Sequence, residues 1–351
     1  MTEVAVVGGG IAGCATAALL AERGAAVTLY EREAIGAGAS GRNSGILQHP
    51  LDPLLVPLFE ASLELYDSLG HGFTMPREPT GAIVLSRDPG ALRRDYEDAA
   101  AAFPELAPEW LDEAALRRAE PCVAPGLVGY RVADGRPVGP TTATRAWAAR
   151  AEAAGARLEI GAAARAVPGG VEVGGRRHGA DVVVVAAGPW TAEACGLPLP
   201  VSPLWGVVAQ VRLPSPPRHA LEEAGIETLT RPDGGPAELF SLITTADGSA
   251  VGSTFSVDEP DPARVAPSVV ERAAAYVPAL ADARIESVRA CARPLSADGR
   301  PLLGQTAIEG LHVVTGHGAW GMTLAPGSAR LVVEALAGER EIPPELAATR
   351  F

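Results

Sequence analysis

Glu3-Val4-Ala5-Val6-Val7-Gly8-Gly9-Gly10-Ile11-Ala12-Gly13 opens the chain, and its reading decides the fold. An apolar run suited to a buried strand ends in a glycine turn, and an alanine-rich segment with helical composition follows as far as Arg23-Gly24. Ala26-Val27-Thr28-Leu29-Tyr30 then reads as a second strand that ends on Glu31, with Arg32 beside it. Strand, glycine turn, helix, strand and acid come in the order a dinucleotide site requires. Gly8 permits the tight turn, Gly10 lets backbone approach a pyrophosphate, and Gly13 lets the helix pack on the sheet. Ile11 and Ala12 begin that helix, whose unpaired N–H groups and dipole favour an anion. Glu31 lies about twenty residues beyond the loop, where it can accept both ribose hydroxyls of an adenosine.

Composition narrows the class. At 351 residues, 47% of them hydrophobic and 20% charged, the chain suits two intimately joined domains around large cores. The net charge is −13, which argues against a nucleic-acid or membrane-surface partner. All 29 basic residues are arginine, and arginine's rigid fork suits a carboxylate better than lysine does. Cys14, Cys122, Cys195 and Cys291 show no CxxC or metal-ligand spacing, so no metal site is expected and the thiols suit a reducing compartment. A first strand at residue 3 leaves no room for a signal peptide, and no apolar run approaches a membrane span; a cytoplasmic location is the expectation.

The remaining pattern is discontinuous. Helices are expected at 54–69, twice between 90 and 119, at 141–154 and from about Pro326 to Ala337, with strands at 81–86 and 157–160. The runs 171–173 and 181–188 are expected to return to the nucleotide-binding sheet. From Val201 to about Ser256, short strands between Pro- and Gly-rich turns signal an antiparallel sheet. The expected organisation is therefore a nucleotide-binding domain from 1–75, 135–195 and 290–351. A mixed α+β cap from 76–134 and 196–289 is inserted into it.

With these motifs assembled, the chain resembles the FAD-dependent D-amino-acid oxidase superfamily, whose members include glycine oxidase, monomeric sarcosine oxidase and D-amino-acid dehydrogenases. The resemblance rests on Gly8–Gly13, on Gly36-Ala-Gly-Ala-Ser-Gly-Arg-Asn-Ser-Gly45 and on Val184-Val-Ala-Ala-Gly-Pro-Trp190. Ala292-Arg-Pro-Leu-Ser-Ala-Asp-Gly-Arg-Pro-Leu-Leu-Gly304 and Thr315-Gly-His-Gly-Ala-Trp-Gly-Met-Thr-Leu-Ala-Pro326 complete it. It implies a glutathione-reductase-type, Rossmann-like FAD domain (α/β) with an antiparallel-sheet substrate cap (α+β). Ser40, Arg42, Asn43 and Ser44 would serve the pyrophosphate and flavin edge, Val167 the adenine, and Ala187, Gly188 and Trp190 a flat wall for the cofactor. Backbone donors around Gly318, Gly321, Met322 and Thr323 would face the flavin edge where negative charge appears on reduction.

For the chemistry, the resemblance implies that Arg293 binds the substrate carboxylate as a bidentate fork, so that positioning supplies much of the catalysis. Cys291 matches a cysteine that sarcosine-oxidase-like members bond to the flavin; a non-covalent flavin beside a buried, inert thiol is the favoured reading. His49 and His317 stand between two roles, base or hydrogen-bond donor at the substrate and structural histidine. Trp205 and Trp320 stand between pocket wall and core. The implied reaction takes a hydride from Cα of a small amino acid (glycine, N-methyl or D-amino acid type) to give an imine and then an oxo acid. Oxygen as acceptor would yield hydrogen peroxide, and another carrier is the alternative, because the lysine that activates oxygen in sarcosine oxidases is missing. Two other functions stay open: a 2-hydroxy-acid oxidoreductase like those acting on 2-hydroxyglutarate, and a flavin-binding subunit of a hetero-complex without turnover. Oligomeric state is not legible.

Overall fold

The structure is a computed structural model that describes residues 1–225 and 237–351; the part of the expected strand-and-turn region at 226–236 lies outside the described residues. Two large sheets organise the chain. The first has six strands in the order 302–305, 311–315, 182–185, 3–7, 26–31 and 157–160. All its pairings are parallel except that of 302–305 with 311–315. Its central strand is buried from Val4 to Val7, as the apolar run requires.

One face of this sheet carries the helices Ile11–Glu22, Pro140–Ala153 and Gly321–Leu336. They share one apolar core with Cys14, Ala18, Trp147, Ala151, Leu324 and Val332 fully or almost fully buried. Small residues allow the approach: a Cβ on Gly13 would collide with the carbonyl oxygen of Gly8. Gly8 itself holds φ +111°, a value that favours glycine. The other face carries an antiparallel sheet of 164–167, 170–173 and 176–179. Here the expectation for 171–173 is corrected. That strand does not enter the nucleotide sheet, because left-handed turns at Gly169-Gly170 and Gly174-Gly175 fold it into two tight hairpins.

The second large sheet has eight strands in the order 285–296, 201–211, 248–255, 237–245, 220–223, 82–86, 128–132 and 109–111. It is antiparallel except where 220–223 lies parallel to 82–86. The helix Pro262–Ala274 packs on it around Val207, Leu242, Val251, Val269 and Ala273. The expected return to the nucleotide layer at 290 occurs later. Ile285–Ser296 pairs along Val201–Val211, and the chain leaves only after the Asp298-Gly299 turn, where Gly299 holds φ +77°.

The expected 54–69 helix spans Val56–Asp67, preceded by a 3-10 turn whose first N–H donors include Leu54, bonded to the Asp52 carboxylate at 3.0 Å. The last helix begins at Gly321, not at Pro326. Proline inside a helix removes one donor and orphans the carbonyl four residues back. That carbonyl is Met322, and the buried Tyr66 hydroxyl donates to it at 2.7 Å, so the helix passes through Pro326 with its acceptor satisfied.

Candidate active site

Between the two sheets runs a cleft of about 640 Å³. Its floor is the Val7–Ala12 turn, the end of the second strand at Tyr30–Glu33, and the 37–43 segment except Gly41. Ala186–Trp190 forms one wall, Ala290–Pro294 another, and His317, Gly318, Ala319, Gly321 and Met322 close the far end. A second cavity of about 100 Å³ adjoins it under the eight-stranded sheet. Asn43, Cys291, Arg293, Ala319 and Met322 line both, so they mark the boundary where cleft and cavity meet.

At the cleft's floor the glycine turn is braced by polar groups. Glu31 accepts the Gly9 N–H at 2.6 Å and the Glu33 N–H at 2.7 Å, one on each carboxylate oxygen. Ser40 Oγ accepts the Ile11 N–H at 2.9 Å, so it caps the first helix from a different segment and keeps its own proton to donate. Ala12 also lines the cleft, which brings the positive end of that helix to its floor. Arg32 lies 4.3 Å over the Trp190 ring, closing one corner of the cleft with a cation on an aromatic face. Ala187 and Gly188 form the flat wall expected of them, and Gly188 O accepts from Thr315 Oγ1 at 2.9 Å.

Several expected contacts are redirected. Asn43 turns its amide inward, donating to Ala39 O and Ser40 O and accepting from Gly45 N, so its side chain locks the turn while only the residue's outer surface lines the cleft. Ser44 and Thr323 line the smaller cavity, not the cleft, and Arg42 lines the cleft. Val167 reaches neither; Ala162–Arg165 form that part of the wall, because the hairpin turn carries the strand's C-terminal end away from the cleft. His49 also lies outside both. Its ring packs edge-on against Phe59 and Phe103, and its backbone N–H donates to the Asp134 carboxylate. The loop after Leu47 turns back toward the 56–67 helix, so proximity to the Arg-Asn-Ser-Gly motif in sequence does not become proximity to the cavity.

His317 does line the cleft, but its ring is buried and its Nε2 sits 3.0 Å from Ser328 Oγ on the last helix. Burial pushes its pKa down to about 4, so the imidazole is neutral at ordinary pH. Trp320 lines the smaller cavity and Trp205 the cleft, each as wall. Cys291 is fully buried on the boundary, its thiol 3.8 Å from Ala39 O. Desolvation raises its pKa and the neighbouring Arg293, Arg289 and Arg42 oppose that rise; the net shift is upward.

Arg293 is the centre of the arrangement. It is 8% exposed, donates from Nη1 to Thr254 O at 3.1 Å and from Nη2 to Ser253 Oγ, and its guanidinium lies 4.6 Å over the Phe255 ring. Among the described residues no carboxylate pairs with it. A buried cation held only by neutral groups is costly, and burial accordingly lowers its pKa. Arg289 on the same strand donates to Arg42 O at 3.1 Å, Asn43 O at 3.0 Å and Gln210 Oε1 at 3.0 Å, so it fastens the 42–43 turn to the sheet.

Sequence reasoning missed four parts of this site: Gly206, Ser253, Arg289 and Glu222. Glu222 is 7% exposed and lines the smaller cavity. The one available signal was the Glu222-Glu223 pair, since adjacent residues of a strand face opposite ways and one acid had to point inward.

A family model described as FAD dependent oxidoreductase (DAO) matches residues 3–335. The chain belongs to that family. Its cofactor is FAD, and the cleft fits it: side-chain-free backbone at Gly8–Gly10, a helix N-terminus, an acid and a second glycine-lined wall lie along one elongated space. The glycine oxidase of Geobacillus kaustophilus (strain HTA426) is 29% identical, the match covering 95% of this chain and 92% of that one. The glycine oxidase of Pseudomonas aeruginosa PAO1 is also 29% identical, over 97% and 96%. Among solved structures, a glycine oxidase from Geobacillus kaustophilus superposes with TM-score 0.86 at 25% identity, covering the whole of both chains. An iminodiacetate oxidase from Chelativorans sp. BNC1 follows with TM-score 0.82 at 25% identity, over 99% of each. Among the described residues there is no cluster suited to a metal ion and no helix long and apolar enough to cross a membrane.

Proposed function

We propose that this FAD-dependent oxidoreductase oxidises the Cα–N bond of a small amino acid, of glycine, N-methyl or D-amino acid type, to an imine that hydrolyses to an oxo acid. The observation that carries the reading is the buried, carboxylate-free guanidinium of Arg293 on the boundary between the cleft and the small cavity. A substrate carboxylate supplies the missing anion, and two parallel N–H···O bonds fix its plane. Ser253, Thr254 and Phe255 hold the guanidinium rigid, so orienting the substrate costs little at the moment of reaction. Bound FAD supplies the two-electron oxidant. The first turn of the Gly321–Leu336 helix brings N–H dipoles to the cleft end, where they stabilise negative charge. The eight-stranded sheet roofs the cavity and excludes water; we assign 76–134 and 196–296 to this cap, because the 285–296 strand belongs to that sheet.

An amine needs little acid–base help once neutral, whereas a hydroxy acid needs a base at its hydroxyl. His49 lies outside both spaces, and His317 lines only the cleft and is tied to Ser328, which favours the amine. Oxygen as the acceptor gives hydrogen peroxide; comparing oxygen uptake with reduction of a dye separates oxidase from dehydrogenase. The test of the binding role is Arg293→Ala: FAD stays bound while KM for the amino acid rises a hundredfold or more, about 3 kcal/mol for a charge-assisted pair. An unchanged KM overturns the assignment.

A further inference from the structure

The small cavity holds a second buried charge site that the reaction above does not use. Glu222 and Glu223 are neighbours on the strand Ala220–Glu223, facing opposite ways. Glu223 is consumed by structure, accepting from Arg272, the Tyr276 hydroxyl and the Phe240 N–H. Glu222 instead lines the cavity, and the Gln48 side chain is its hydrogen-bonding partner. No ion pair links it to Arg293. Desolvation raises its pKa to about 7, which a donor from a ligand would reverse.

Position decides what Glu222 reads. Arg293 lines cleft and cavity alike, whereas Glu222 lines the cavity alone. Arg293 bonds Ser253; Ser241 pairs with Gly252 beside it, and Glu222 pairs with Ser241 one strand further. Two strand spacings put its backbone roughly 10 Å beyond that of Ser253. The α-amino and carboxylate groups of an amino acid share one carbon and stay together near the boundary. The group that reaches Glu222 is therefore on the side chain.

We propose that Glu222 is a specificity-determining residue that accepts a hydrogen bond from a hydroxyl or amino group on the substrate side chain. The preferred substrates are then small amino acids with a donor at the end of a short side chain, over their aliphatic isosteres. The inference rests on Arg293 holding the carboxylate, and binding can be tested apart from turnover. The oxidised holoenzyme is titrated, by flavin absorbance, with 4-hydroxybutyrate and with pentanoate, which match in shape but lack an amine. Anaerobic flavin reduction by homoserine and norvaline, in both enantiomers, gives the matching kinetic ratio. The wild type should favour the hydroxylated member of each pair at least tenfold. Glu222→Leu should bring both ratios to about one, and Glu222→Gln, which keeps an acceptor, should fall between. Equal affinities in the wild type, or ratios unmoved in Glu222→Leu, overturn the inference. If no amino acid reduces the flavin but the affinity ratio behaves as described, the amino-acid reaction is wrong and Glu222's role stands.

Discussion

Gly206 lies diagonally across two paired strands from Arg293, opposite Cys291, and a Cβ at 206 would occupy the space of the Arg293 guanidinium. The arginine's buried position is thus made possible by an absent atom on the neighbouring strand. Gly206→Ala should displace the fork by the width of a methyl group. The expected outcome is a tenfold or larger rise in KM with FAD content unchanged, since displacement of a positioning group costs rate steeply. Steady-state kinetics beside the bound-flavin absorbance check it; an unaltered KM removes the link.

Tyr66 and Pro326 form a second such pair. The tyrosine hydroxyl satisfies the Met322 carbonyl that proline orphans in the last helix. Tyr66→Phe leaves a buried acceptor unpaired, which costs about 1–3 kcal/mol. Thermal unfolding should report that loss, while KM barely moves because Tyr66 touches neither cavity.

Glu222 gives a pH signature. Its folded pKa of about 7 lies above the ordinary 4.5, so the folded state retains a proton that the unfolded chain gives up. Its favourable contribution is complete below the unfolded pKa and is lost as pH rises through the folded one. Glu222→Gln should therefore gain stability relative to wild type from acid to mildly alkaline pH, by roughly 3 kcal/mol in full. Denaturant unfolding of the ligand-free holoenzymes across that range measures the difference, and a flat difference contradicts it.

Cys291 sits on the boundary wall, but burial keeps its thiol protonated, and a thiolate is the nucleophile a covalent flavin link requires. Acid precipitation should leave the yellow colour in the supernatant. Colour that stays with the polypeptide would show the link.

The dinucleotide loop was legible because its parts are local: Gly8, Gly13 and Glu31 act through a turn and two adjacent strands. Arg293 was legible through a motif. Gly206, Ser253 and Glu222 were not, since their inward faces depend on strands paired from distant segments. Val167 was placed by the resemblance and His49 by its nearness to a motif along the chain, and a hairpin and a loop carried both away from the site. The last helix read as starting near Pro326; Tyr66, far off in sequence, is what permits a proline at its sixth position.

The most direct measurement mixes the purified holoenzyme, without oxygen, with glycine, sarcosine and D-alanine, and separately with glycolate and 2-hydroxyglutarate. An amine oxidised beside Arg293 predicts that the flavin bleaches with amino acids and stays yellow with hydroxy acids. Bleaching by hydroxy acids alone, or by neither set and by no other amino acid, would contradict it.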